Sequence, residues 1–118
     1  MPGERRTYTI TTFTLSAGRE AEFIDAWRDA AAAALEFVPG AVMGQILRDR
    51  ADPRRIIALG VWEDTAAIEK WRSLPEYETF ALRVAFICEE IDRYTLDTVA
   101  RATRDLEDQG SARRFTQR

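Results

Sequence analysis

A chain of 118 residues fits one domain, and 46% hydrophobic against 31% charged residues is the balance of a globular protein with a modest core. A net charge of −3 lends no electrostatic support to nucleic-acid binding, and neither a leader-like apolar segment nor a run of about 18 apolar residues signals export or a membrane span. The lone Cys88 excludes an internal disulfide and suits a reducing cytoplasm, while a total lack of histidine removes the usual ligands of zinc and haem and the base of Ser-His or Cys-His triads.

In chain order, Arg6 to Leu15 alternates around threonines, Tyr8, Ile10 and Phe13, which predicts a first strand. After a turn at Ser16–Gly18, the period becomes helical from Arg19 to about Phe37. Phe23, Trp27, Ala30, Ala31, Ala34 and Val38 form its apolar stripe. The five alanines from Ala30 to Ala34 favour the helix and let it lie close to whatever is beneath. Pro39-Gly40 ends it. Ala41 to Asp49 predicts a second strand, with Met43, Gln45 and Leu47 on one side and Val42, Gly44 and Ile46 on the other. The short link Arg50–Pro53 implies an antiparallel hairpin with a third strand between Arg54 and Asp64.

That third strand has two apolar faces of unequal bulk. Ile57, Leu59 and Val61 form an aliphatic ridge; Ile56, Ala58, Gly60 and Trp62 are small in the middle with an indole at the end. The ridge is expected to pack against another sheet, and the small face to floor a cavity under the protein's own helices. Asp64 caps a helix from Thr65 to Arg72 that turns Ile68 and Trp71 inward. Ser73-Leu74-Pro75-Glu76 fits a capping box, opening a helix to about Glu90 with Tyr77, Phe80, Ala81, Val84, Ile87, Cys88 and Ile91 buried. Arg93 to Val99 reads as the fourth strand. The polar remainder suggests a short helix through Leu106 and a tail after Gly110.

The order β-α-β-β-α-α-β predicts an α+β, ferredoxin-like fold: a four-stranded antiparallel sheet with helices on one face. Residues 6–99 form the domain, flanked by extensions at 1–5 and 100–118. A bare ridge on the second sheet face is costly at about 25 cal/mol per Å², so a homodimer with sheets packed face to face is expected.

Several segments resemble the antibiotic biosynthesis monooxygenase family of dimeric α+β barrels. They are REAEFIDAW (Arg19–Trp27), VPGAVMGQILRDRADP (Val38–Pro53), GVWED (Gly60–Asp64) and KWRSLPEYETF (Lys70–Phe80). The resemblance spans about residues 6–99. It implies a dimer and, in the polyketide oxygenases of the group, a reaction of an anthrone-like substrate with dioxygen that uses neither metal nor flavin. A deprotonated, electron-rich substrate reduces dioxygen directly, and the protein supplies a dry pocket, a proton acceptor and donors for the oxyanion. This chain departs from the group in having no asparagine or histidine, so any base is a carboxylate, a tyrosine or the substrate itself.

Against that background Trp62 reads as a pocket wall or N–H donor, or else as a core anchor. Trp71 and Tyr77 read as lining of the pocket mouth or as packing at a bend, with Phe80 beside them; Trp27 reads as lining or core. Arg83, on an otherwise apolar helix, is a candidate for stabilising an enolate, or it pairs with Glu76 or Glu90. Gln45 and Tyr8 are candidates to hydrogen-bond a quinone oxygen, Tyr8 as proton relay. Cys88 reads as a small hydrophobe. A metal site is not expected. The readings left open are a cofactor-free oxygenase of planar aromatic substrates, a polyketide cyclase or aldol-type catalyst, and a non-catalytic ligand-binding dimer.

Overall fold

A computed structural model describes residues 6–104. The elements are β1 (Thr7–Leu15), α1 (Glu20–Phe37), β2 (Ala41–Arg48), β3 (Arg55–Trp62), α2 (Thr65–Arg72), α3 (Pro75–Ile87) and β4 (Cys88–Asp97). The strands form one antiparallel sheet in the order β2-β3-β1-β4, as the ferredoxin-like reading expects. Residues 1–5 and 105–118 lie outside the described residues; residues 101–104, the described part of the expected short helix through Leu106, form no helix.

Strand register sorts the side chains. Phe13 pairs with Ile56 and Ile91, Thr11 with Ala58 and Arg93, and Thr9 with Gly60 and Thr95. These rows face the helices, because Phe13 and Ile56 are buried with Phe23, Val84 and Ile87 in one core cluster. The neighbouring rows, including Ile10–Leu59 and Thr12–Ile57, face away. On that open face Met43, Leu47, Tyr94 and Leu96 are 42–53% exposed, and none of the described elements covers them. Val61, on the same face, is buried within the single chain.

The helices cover the other face. A first cluster joins α1, β3 and α2 through Ala30, Ala34, Val38, Trp62, Ile68 and Trp71. The second, where Phe13 and Phe23 meet at 4.8 Å between ring centroids, joins α1, β1 and α3. Asp64 caps α2 as expected: its Oδ1 accepts from the Ala67 N–H at 3.0 Å. Asp64→Ala should lower stability by about 1 kcal/mol in urea denaturation, since it orphans that donor.

Two expectations are corrected. The Ser73 capping box does not form. Leu74 is the N-cap of α3 without a side-chain bond, and Ser73 Oγ instead donates to the Lys70 carbonyl at 2.7 Å, closing α2. Proline in the first turn of α3 needs no donor partner, so that helix starts without a polar cap. The second correction is that β4 begins at Cys88 rather than Arg93. A register shift opposite Thr14 and Leu15 skips Glu89, so Cys88 and Ile91 both pack on the core although three residues apart. That bulge imitates helical spacing.

Candidate functional site

Between the two clusters the small residues leave a chamber of about 130 Å³. Its floor is Gly44 of β2, Ala58 and Gly60 of β3, and Thr9 and Thr11 of β1. Its roof is Ala30, Ala31 and Ala34 of α1, with Trp27, Ile68, Trp71, Tyr77 and Phe80 as walls. The alanine run therefore produces space as well as close packing. The volume is comparable to a cavity that accepts one benzene ring and falls short of the ~300 Å³ expected of a site enclosing a larger ligand.

Trp62 is held in place by its neighbours. Its Nε1 donates to Thr9 Oγ1 at 3.0 Å, and the indole lies against the Cα of Gly60. A Cβ on Gly60 would stand 2.5 Å from Thr9 Oγ1 and 2.8 Å from Trp62 Nε1. Gly44 makes similar room for Trp27, whose ring would be 3.2 Å from a Cβ there. Trp71 and Tyr77 meet edge to face at 5.5 Å. Three indoles and a phenol thus form the walls, each positioned by a named neighbour.

The expected lining residues Trp62, Trp71, Tyr77, Trp27 and Phe80 all border the chamber. Three others do not. Tyr8 pairs across the strands with Val61 and Leu96, which places it on the open sheet face, so it cannot relay a proton inside. Gln45 stands opposite Leu59 on that same face. Arg83 turns toward α1 and pairs with Asp29 at 2.9 Å, not with Glu76 or Glu90, in a neighbouring groove that shares only Ala30 and Phe80 with the chamber. The Trp62 N–H, proposed as a ligand donor, is already committed to Thr9.

Four polar lining residues were missed: Thr9, Thr11, Arg72 and Arg93. For the threonines a signal existed, since two-residue alternation from Phe13 puts them on the helix side and Tyr8 on the other. No carboxylate borders the chamber among the described residues, so a base there is Tyr77 or the ligand itself. Nor do three or more histidine, cysteine, aspartate or glutamate side chains converge among the described residues. Burial pushes the Cys88 thiol up to about 11, which keeps it protonated and unreactive at neutral pH. No described helix is long and apolar enough to cross a membrane.

Known proteins place this architecture. SnoaB, a cofactor-independent oxygenase from Streptomyces nogalater, superposes with a TM-score of 0.71 at 23% identity, covering 84% of this chain and 96% of its own. A protein from Bacteroides thetaiotaomicron gives 0.73 at 11% identity, over 85% and 95% of the two chains. PA3566 from Pseudomonas aeruginosa gives 0.71 at 19%, over 81% and 96%. No curated protein sequence matches the chain. At these identities the likeness is one of fold. The family model for antibiotic biosynthesis monooxygenases, however, matches residues 7–82, from β1 into α3, a span that includes every wall of the chamber except Val84 and Arg93. On that match the chain belongs to the antibiotic biosynthesis monooxygenase family.

Proposed function

We propose that the protein is a cofactor-independent monooxygenase that oxidises a planar phenolic or anthrone-type polyketide to a quinone, working as a cytoplasmic homodimer. The observation that carries this reading is the aromatic chamber, in which Trp62 is fixed over Gly60 by Thr9. An anthrone methylene would lose a proton, and the resulting carbanion would pass an electron to dioxygen. Recombination forms a C–O bond to a peroxide; loss of water then leaves the new carbonyl, so one dioxygen yields one quinone oxygen and one water. Within this scheme the walls hold the ring and exclude water, and Tyr77 or the substrate's own phenolate accepts the proton. The proposed dimer rests on the uncovered apolar sheet face. The free, half-buried thiol of Cys88 fits a cytoplasmic setting.

Oxygen uptake by the purified protein with an anthrone should exceed the buffer rate, and Trp62→Phe should lower it about tenfold by freeing the ring from Thr9. A rate equal to buffer, unchanged in the variant, would count against the reading. Turnover of a polyketide chain without oxygen would indicate the cyclase instead. The small chamber volume favours one further reading, a non-catalytic binder of single-ring ligands; saturable binding with no oxygen uptake would distinguish it.

A further inference from the structure

We infer that the ligand is an aromatic carboxylate whose ionised group is held at the chamber mouth by Arg93, with Arg72 as a second cation. The inference rests on the ring-binding role proposed above. Arg72 and Arg93 are the charged side chains among the described lining residues, and no acidic residue joins them. This inverts the composition of the chain, which has 20 acidic and 17 basic residues. Arg19, Arg48, Arg54, Arg55 and Arg83 each pair with a carboxylate; among the described residues Arg72 and Arg93 do not, nor do Arg6, Arg28, Arg50, Arg101 and Arg104, but of these only Arg72 and Arg93 line the chamber.

Register explains why Arg93 has no acid beside it. On the helix side of the sheet its row is Thr11 and Ala58, and the adjoining rows carry Ile91, Phe13 and Ile56, then Thr95, Thr9 and Gly60. None is acidic. Arg93 stands two strand spacings, about 10 Å, from Ala58 on the floor. The chamber encloses about one ring, so the rest of a fused-ring ligand extends to the mouth, where both arginines are exposed. A guanidinium fork binds a carboxylate through two parallel hydrogen bonds, and the hydroxyl of Thr11 beside it offers another donor.

The test is calorimetric titration with 2-naphthoate, ionised at pH 7, and its neutral counterpart 2-naphthamide. Naphthoate should bind about tenfold more tightly, the effect of one partly exposed charged hydrogen-bonding pair. Arg93→Gln should remove most of that preference and Arg72→Gln a smaller part. Arg83→Gln, outside the chamber, should leave it intact. Equal affinity for both probes, or a preference that survives in the Arg72→Gln/Arg93→Gln double variant, overturns the inference while ring binding stands. If neither probe binds the native protein, the ring-binding reading falls and the inference with it.

Discussion

Ile57→Glu is expected to convert the proposed dimer, of twice 13.5 kDa, into single chains at micromolar concentration. Ile57 lies on a central strand, opposite Thr12 on one side and Leu47 on the other, on the sheet face that the helices leave open. A second sheet laid on that face would enclose a carboxylate with no cationic partner from its own row. Leaving a charge buried and unpaired costs about 3–5 kcal/mol, which weakens association by at least a hundredfold. In a two-fold dimer the substitution occurs in both copies, so the penalty is incurred twice. Ile57→Val keeps the apolar surface and should keep the dimer. Sedimentation equilibrium decides: a native protein already sedimenting as one chain, or an Ile57→Glu variant unchanged in mass, would defeat the face-to-face arrangement. Because the chamber is on the other side of the sheet, naphthoate binding by the dissociated variant would also show whether one copy suffices for the ligand.

Gly60→Ala should lower stability by about 2 kcal/mol and Tm by roughly 8 °C, and should abolish most oxygen uptake. The added methyl would sit 2.5 Å from Thr9 Oγ1 and 2.8 Å from Trp62 Nε1, well inside contact distance for both. Either the indole swings away or the strands separate. Thr9→Ala in the same chain removes the nearer obstacle and should recover part of the lost Tm, but not the activity, because the anchor of Trp62 is gone. Differential scanning calorimetry and an oxygen electrode separate the two effects. A Gly60→Ala protein with native Tm and native oxygen uptake would mean that the indole does not depend on a bare Cα beneath it.

Much of the fold was legible because its patterns are local. The α1 stripe, the Asp64 cap of α2 and the short link between β2 and β3 each rest on residues close in sequence, and each is found in place. The start of β4 was not legible, since the skipped Glu89 sets Cys88 and Ile91 three apart on one side of a strand, a spacing that sequence alone assigns to a helix. The aromatic walls followed from their helical and strand periods. The polar groups did not. Tyr8 and Gln45 stand out among apolar neighbours, yet prominence in sequence says nothing of which face a residue occupies. Arg93 enters the chamber only through the pairing of β4 with β1, a long-range register that no local pattern encodes.

The strand β4 forms one margin of the sheet, and among the described residues nothing hydrogen-bonds along its outer side. The outward-pointing N–H and C=O groups of this ten-residue edge strand could template the addition of a further chain. Four of the ten are acidic, Glu89, Glu90, Asp92 and Asp97, against one basic residue, Arg93, so a second β4 brought alongside would meet a net like charge. Neutralising them at low pH should therefore promote fibrillar growth through this margin, and the acids serve as its guard against self-propagation.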